Sequence, residues 1–271
     1  MVADRVSLFH AILLGTIQGL TEFLPISSSG HLVLFQRVLG FRGPDLLFDT
    51  FLHAGTLGAV CCVFRRDLVS MGRALLSRDM NAPHGRLLLL ILLGTIPTAL
   101  IGFAFRGLFE RLFSAVLVAG VMLLVTGLLL FVADRVGSNG EAPRQLGRRG
   151  AFLIGIVQGL SLLPGLSRSG STISTGIFLG VERSVAAQFS FLLSVPSIAG
   201  AMIFQVPAAL SLDGRFVLPV AVGTLTAALT GYAAIKALLR AVTVRRLSLF
   251  SYYCWAVGCG VVLISLIHIF A

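Results

Sequence analysis

Long apolar runs that contain few charges dominate the pattern of hydrophobic and polar positions along this chain. Six of these runs reach about the length that a helix needs to cross the hydrocarbon core of a membrane. They cover residues 46–64, 87–105, 112–132, 184–206, 216–239 and 248–270. The remaining segments are shorter apolar arms and loops, which leave no room for a soluble domain. We therefore expect one all-α, polytopic membrane domain over residues 1–271.

An internal duplication relates the two halves of the sequence. Residues 15–31 read GTIQGLTEFLPISSSGH, and residues 155–171 read GIVQGLSLLPGLSRSGS. Gln158 follows Gln18 by 140 positions (158 − 18), and the alignment keeps this offset apart from a one-residue slip at the proline. Chance similarity between apolar helices would not reproduce both the proline and the Ser-x-Ser-Gly. The pattern predicts two internal repeats, over residues 7–133 and 150–270.

Proline, serine and glycine break each copy of the repeat, and such residues interrupt helices. The apolar arms on either side of the breaks are short for a full crossing: residues 7–24 and 31–39, then 150–163 and 171–180. We expect two re-entrant hairpins, each returning to its own side of the membrane. Irregular backbone at that depth is tolerated where it lines a wet cavity. Three spans separate the hairpins, so the sequence predicts an inverted-topology repeat whose broken tips meet near the midplane.

Composition and charge agree with this topology. Apolar residues make up 56% of the chain and charged residues 12%, with a mean hydropathy of +0.97. The net charge of +10 comes mostly from loop arginines and not from a basic, aromatic-lined surface, so nucleic acid is not an expected partner. With returning hairpins, fourteen basic residues fall on one face and six on the other. The face with fourteen is predicted to be cytoplasmic, which places both termini outside.

The breaks also carry the rare charged groups of the membrane region, which are functional candidates by default. Glu22 lies four residues after Gln18, so both share one helical face, and Ser27-Ser28-Ser29-Gly30-His31 follows. Arg168 lies in the second break, within Ser167-Arg168-Ser169-Gly170. We expect the inverted repeat to bring Arg168 close to Glu22, the serines and His31. On the first span, Asp49 is a candidate supporting residue, and His53 on the same face is more simply explained as a hydrogen-bonded interior residue.

This set of groups suits phosphoryl transfer. Helix N-terminal amides, with hydroxyls and a glycine that permits close approach, hold phosphate oxygens, and an arginine fork matches their geometry. A serine or histidine can attack phosphorus while a carboxylate accepts a proton. Two other interpretations stay open. Glu22 and Arg168 could form a structural ion pair beside capping serines, or the protein could be a flippase or transporter of a polyprenyl-phosphate lipid, since inverted repeats with broken helices are typical of transporters.

Two motifs resemble those of the undecaprenyl-diphosphate phosphatase family, the bacitracin-resistance type. Gln18-Gly19-Leu20-Thr21-Glu22 with the following cluster up to His31 is similar to the family's first signature. Pro164-Gly165-Leu166-Ser167-Arg168-Ser169-Gly170-Ser171-Thr172 is similar to its second. One departure is Gln18, where many members have glutamate. Glutamine cannot act as a base or a metal carboxylate, so its role is limited to hydrogen bonding.

The resemblance implies hydrolysis of undecaprenyl diphosphate to the monophosphate at the outer face of a bacterial cytoplasmic membrane, which recycles the carrier lipid for peptidoglycan synthesis and confers bacitracin resistance. It implies catalytic roles for Glu22, Ser28, His31 and Arg168. The substrate-binding set predicted around them is Gln18, Ser27, Ser29, Gly30, Ser167, Ser169, Gly170 and Thr172. It also implies a divalent cation, Mg²⁺ or Ca²⁺, which would bridge phosphate oxygens with few protein ligands, Glu22 among the candidates. No organic cofactor is expected, and the sequence leaves a homo-oligomer open.

The sequence does not decide the nucleophile. In the simplest mechanism, Ser28 attacks phosphorus while His31, polarised by Glu22, takes its proton. A phosphohistidine at His31 and direct attack by activated water are the alternatives.

Overall fold

The computed structural model describes residues 6–41, 46–113, 115–136, 144–203 and 214–270, and these ranges are helical almost throughout. They contain twelve helices. In chain order these are α1 (Leu8–Phe23), α2 (Ser28–Val38), α3 (Leu46–Val63), α4 (Arg65–Leu76), α5 (Pro83–Ala104), α6 (Arg106–Leu112), α7 (Val116–Arg135), α8 (Arg148–Leu160), α9 (Arg168–Phe178), α10 (Arg183–Ile203), α11 (Gly214–Thr243) and α12 (Leu247–Phe270).

Five of these helices are long and apolar enough to cross a membrane: α5, α7, α10, α11 and α12. Helices α3 and α4 make a sixth candidate when the pair, which bends by 79° between Val63 and Arg65, is counted as one span. Large apolar side chains such as Leu100 and Phe103 are exposed on the outside, where lipid would cover them. The prediction of an all-helical polytopic membrane protein is confirmed, with five or six crossings by length and composition.

Both predicted breaks lie between pairs of short helices. Helix α1 ends at Phe23, ahead of Pro25, and α2 begins at Ser28. Helix α8 ends at Leu160, ahead of Pro164, and α9 begins at Arg168. The first arm of each pair packs against a long helix from the other half of the chain, α1 on α11 and α8 on α5. This reciprocal packing brings the two breaks together in the centre of the protein.

Two helices, α4 and α6, occupy segments that the sequence analysis interpreted as loops. Helix α4 is amphipathic: Met71 and Ala74 are buried, while Arg65 and Arg66 are exposed. Helix α6 has only seven residues and carries the exposed ion pair between Arg106 and Glu110. Both segments carry charged residues, so neither forms a long apolar run in the sequence. The arginines of α4 therefore lie on a helix at the end of a span and not in an irregular loop.

Glycines allow the helix backbones to touch where the two halves cross, as small residues do between membrane helices. Gly55 on α3 lies against the carbonyl oxygen of Thr224 on α11, and a Cβ atom added there would collide with that oxygen. Gly155 on α8 meets the carbonyl of Gly94 on α5 in the same way. Gly58, one turn after Gly55, has no atom within 4 Å of such a Cβ.

We expect Gly55→Ala to lower the thermal unfolding midpoint by about 2 °C or more, because overpacking costs about 1–3 kcal/mol. Gly58→Ala is the matched control. It makes the same substitution on the same helix, where alanine raises helix propensity without a clash. Thermal unfolding of the two purified variants in one detergent measures the difference. Equal midpoints would contradict the close backbone contact between α3 and α11.

Candidate active site

The N-termini of α2 and α9 meet across the two breaks. Ser27 caps α2 by accepting a hydrogen bond from the Gly30 amide at 3.3 Å, and Ser167 caps α9 by accepting one from the Gly170 amide at 3.1 Å. Ser27 holds a positive φ of 70°, a strained value for a serine. A Cβ on Gly170 would lie 3.2 Å from the Cβ of Pro25, so the two tips are in contact. Each helix start leaves first-turn amides available to an anion.

Glu22 is the centre of the polar contacts between the tips. Its Oε1 accepts a hydrogen bond from Arg168 Nη2 at 2.5 Å. Its Oε2 accepts from Ser28 Oγ at 2.7 Å and from Gln18 Nε2 at 3.1 Å. Arg168 Nη1 is buried and has no partner among the described residues. The expected approach of Arg168 to Glu22 and Ser28 is present, and one guanidinium nitrogen remains available for a ligand oxygen.

These groups line a cavity of about 220 Å³ with charged, polar and apolar side chains on its walls. The charged side holds Glu22, Arg168 and His53, with the serines of the first break. The cavity is lined by Thr21, Glu22, Ser27, Ser28, Ser29, Thr50, His53, Thr98, Phe113, Gln158, Ser161, Leu162, Leu166, Ser167, Arg168, Ser194, Ser197, Ile198, Ala201 and Met202. The cavity therefore offers a ligand both charged and apolar contacts.

The uncharged side of the cavity is built around Gln158, the repeat counterpart of Gln18. Gln158 Nε2 donates to Ser197 Oγ at 2.9 Å and to Thr98 Oγ1 at 3.2 Å. The position that corresponds to Glu22 is Leu162, at the same offset of 140 (162 − 22). The duplication therefore kept the glutamine in both copies but placed the carboxylate in only one.

His31 does not contact Glu22 as the sequence analysis expected. Its ring nitrogens are both engaged elsewhere, with Nδ1 2.8 Å from the Ser27 carbonyl oxygen and Nε2 2.7 Å from the Tyr253 hydroxyl. The imidazole stacks on the Tyr253 ring, is 3% exposed and is not among the residues that line the cavity. The reason is geometric: one turn of α2 separates His31 from Ser27 and directs its ring toward α12.

His53 occupies the position near Glu22 that was expected for His31. Its Nδ1 lies 3.5 Å from Glu22 Oε2 and 2.9 Å from Gln18 Nε2. The sequence analysis treated this histidine as an interior residue, but it lines the cavity. The feature of the sequence that pointed to His53 is its four-residue spacing from Asp49, which places both side chains on one face of α3. Asp49 itself accepts a hydrogen bond from Gln36 Nε2 at 2.7 Å and is not a cavity-lining residue.

The residues predicted to bind phosphate include some that line the cavity and others that are buried behind it. Ser27, Ser29 and Ser167 line the cavity. Ser169, Gly170 and Gly30 are buried behind them, and the Ser169 hydroxyl lies 3.3 Å from that of Ser167. The Thr172 hydroxyl bonds within its own helix and lies 2.5 Å from the Ser190 hydroxyl, so it joins α9 to α10.

The donor set around Glu22 does not form a dedicated metal cage. Within the described ranges, no group of three or more His, Cys, Asp or Glu side chains is arranged to hold an ion. Both oxygens of Glu22, the one carboxylate on the cavity lining, already accept hydrogen bonds from protein donors.

The fold and this site define an all-helical, polytopic membrane protein with a largely buried charged and polar centre between two broken helix pairs. Residues 11–260 match the family model described as bacitracin resistance protein BacA. The chain belongs to this family.

Curated relatives of similar length support the same assignment. The chain is 43% identical over 272 residues to an undecaprenyl-diphosphatase of Desulfatibacillum aliphaticivorans, which covers 95% of this chain and 99% of the relative. It is 46% identical over 261 residues to an undecaprenyl-diphosphatase of Desulfosudis oleivorans, with 92% and 95% covered. A third relative of that name, from Methanobrevibacter smithii, is 39% identical over 276 residues, with 97% and 99% covered.

Proposed function

We propose that the protein hydrolyses undecaprenyl diphosphate to undecaprenyl phosphate and inorganic phosphate. Its relatives carry the name of that activity. The observation that carries the proposal is that Glu22 accepts hydrogen bonds from Ser28 and Arg168 at the same time, where two helix N-termini meet. A nucleophile, a proton acceptor and a phosphate-binding fork thus lie within one hydrogen-bonded group. A purely structural ion pair between Glu22 and Arg168 would account for the position of Arg168. It would not account for the hydrogen bond from Ser28 to Glu22 or for the cavity.

In the proposed mechanism, Ser28 Oγ attacks the terminal phosphorus while its proton passes to Glu22 Oε2, to which it is already hydrogen-bonded. The bond between that phosphorus and the bridging oxygen breaks, and its electron pair leaves with undecaprenyl phosphate. Water then attacks the phosphoserine, the proton on Glu22 returns to Oγ, and inorganic phosphate departs. Glu22 takes over the base role that the sequence analysis assigned to His31, because His31 is directed away from the cavity.

Arg168 and the helix starts would stabilise the charge that develops on the phosphate oxygens. The unpartnered Nη1 of Arg168 is the donor available to them, together with first-turn amides of α2 and α9 and the hydroxyls of Ser29 and Ser167. A divalent cation, Mg²⁺ or Ca²⁺, would be held mainly by the diphosphate oxygens, since both oxygens of Glu22 already accept hydrogen bonds from the protein. One chain supplies every residue of this site, so the proposal requires no homo-oligomer.

For the topology, we propose six crossings and two re-entrant hairpins, with inverted repeats over residues 7–133 and 150–270. The reciprocal packing of α1 on α11 and of α8 on α5 supports a two-fold relation between the halves. The distribution of basic residues favours outside termini and a site that opens outward from a bacterial cytoplasmic membrane. A protein so placed would recycle the carrier lipid for peptidoglycan synthesis and confer resistance to bacitracin.

Phosphate release by the purified protein tests the proposed function. In detergent micelles with undecaprenyl diphosphate, we expect inorganic phosphate and undecaprenyl phosphate to appear in equal amounts. A flippase would release no phosphate, because translocation breaks no covalent bond. Absence of release from a monodisperse protein that binds the lipid would contradict the proposal and favour the transporter alternative.

We expect Arg168→Lys to lower kcat by about 100-fold in this assay. Lysine keeps the positive charge but cannot bond Glu22 through one nitrogen and a phosphate oxygen through another. Arg183→Lys is the matched control, since Arg183 also pairs with a carboxylate, Asp134, but lies outside the cavity lining. The control should keep kcat within about twofold of the parent. Near-normal turnover of the Arg168 variant would exclude phosphate binding by the guanidinium.

A further inference from the structure

His53 differs from His31, the buried histidine of this region, in having one ring nitrogen without a hydrogen-bond partner among the described residues. At His31 both ring nitrogens are hydrogen-bonded, and 3% of the residue is exposed. At His53 the contacts involve Nδ1 alone, and 35% of the side chain is exposed. Because His53 lines the cavity, this exposure is toward the space where a ligand would bind.

Gln18 determines which ring nitrogen of His53 carries the proton. An amide NH₂ group has two hydrogens. Gln18 Nε2 lies 3.1 Å from Glu22 Oε2, which can only accept, and 2.9 Å from His53 Nδ1. Reversing the amide would place Gln18 Oε1 against the carboxylate, which is repulsive. One hydrogen therefore goes to Glu22 and the other to Nδ1, so that Nδ1 accepts and the imidazole carries its proton on Nε2.

The Nε2–H group of His53 consequently provides a hydrogen-bond donor beside Glu22. Arg168 bonds Oε1 of that carboxylate, and His53 lies near Oε2. We propose that His53 is a further substrate-contacting residue, whose Nε2–H donates a hydrogen bond to an oxygen of the diphosphate. This inference rests on the proposed function for the identity of the ligand. It also gives Gln18 a defined task, which is to fix the tautomer of His53.

Two substitutions at His53 separate the roles of the two ring nitrogens. In His53→Asn, the short side-chain amide reaches the position of Nδ1 and keeps the contact with Gln18, but it removes the donor at the Nε2 position. In His53→Gln, the longer amide places an N–H group near the Nε2 position and gives up the Nδ1 contact. His84→Asn is the control, because His84 is 43% exposed and contacts Asp67 away from the cavity.

The probe is a polyprenyl methylenediphosphonate, whose P–C–P bridge resists hydrolysis, so that binding is measured without turnover. We expect His53→Asn to raise its Kd by about 10-fold to 100-fold, as loss of a hydrogen bond to a charged group does. His53→Gln should stay within about threefold of the parent, and His84→Asn should not differ from it. Size-exclusion profiles and thermal midpoints establish that each variant is folded.

The outcomes distinguish this inference from the proposed function. Tight binding by His53→Asn, equal weakening in both His53 variants, or a parent that does not bind the probe would overturn the contact. Weak binding by His53→Gln alone would show that His53 acts only by positioning Gln18, which also overturns it. If the parent binds the diphosphonate with the expected pattern but releases no phosphate from undecaprenyl diphosphate, the contact stands and the hydrolase proposal fails.

Discussion

Replacing Glu22 by glutamine is expected to lower kcat for phosphate release by about 10³-fold. Ser28 Oγ donates to Glu22 Oε2 at 2.7 Å, so this carboxylate is the group positioned to take the serine proton. A glutamine oxygen can still accept that hydrogen bond but cannot hold the proton. Because the substitution also removes the charge opposite Arg168, substrate binding should change as well. Steady-state kinetics with undecaprenyl diphosphate would report kcat and KM separately.

Two companion variants separate loss of the base from loss of packing. Glu22→Asp keeps the charge but shortens the side chain, so its activity should lie between those of the parent and Glu22→Gln. Gln18→Glu should cost less than Glu22→Gln. It removes the hydrogen bonds that Gln18 donates to Glu22 and His53 and places a second carboxylate beside Glu22, but it leaves the proton acceptor of the mechanism in place. If Glu22→Gln and Gln18→Glu were tolerated equally, the proton acceptor would lie elsewhere. His53, the other titratable group near Ser28 on the cavity lining, would then be the next candidate.

Much of the fold could be predicted because membrane insertion imposes a strong and local sequence requirement. Apolar runs of spanning length locate α5, α7, α10, α11 and α12, and the prolines locate both breaks. The amphipathic helix α4 was missed for the converse reason: its arginines lower the hydropathy, although one face is buried. Its angle of 79° to the preceding helix depends on tertiary packing and has no signature in the run of apolar residues.

Those contacts of the site that follow from the internal duplication could be predicted from the sequence. The repeat pairs the break that holds Glu22 with the break that holds Arg168, and these side chains do form an ion pair. The duplication does not predict how each helix is rotated about its own axis, and this rotation decides which side chains face the cavity. His31 is close to Ser28 in sequence but lies on the face of α2 that meets Tyr253, whereas His53 is brought to Glu22 by the packing of α3. Which histidine enters a cavity is decided by helix packing.

The asymmetry of the repeats explains why one cavity holds a single reactive centre. Gln18 and Gln158 occupy equivalent positions, but Glu22 corresponds to Leu162. Arg168, in turn, corresponds to Ser28 at the same offset (168 − 28 = 140). In the proposed mechanism, the carboxylate and the nucleophile therefore come from one copy and the guanidinium from the other, so the reaction would require the contact between the two breaks.

Replacing Ser28 by alanine is the second change with a large expected effect, and it addresses the identity of the nucleophile. We expect kcat to fall by about 10³-fold or more, because the Ser28 hydroxyl would form the covalent bond to phosphorus. If the hydroxyl only donated a hydrogen bond to a charged oxygen, its removal would cost about 10-fold to 100-fold. Measuring kcat under saturating undecaprenyl diphosphate distinguishes these ranges.

The covalent intermediate offers an independent test of the same assignment. Acid quenching of a turnover, followed by peptide mapping, should recover phosphate on Ser28, since phosphoserine survives acid. Ser29→Ala is the matched control: Ser29 lines the same cavity one residue further along α2, but its hydroxyl lies near that of Ser27 and not near Glu22. That variant should lose about 10-fold to 100-fold in kcat, as expected for loss of one hydrogen bond to a charged oxygen. An acid-labile phosphohistidine at His31, or a Ser28→Ala enzyme that is no slower than Ser29→Ala, would remove Ser28 as the nucleophile and leave the hydrolase proposal in place.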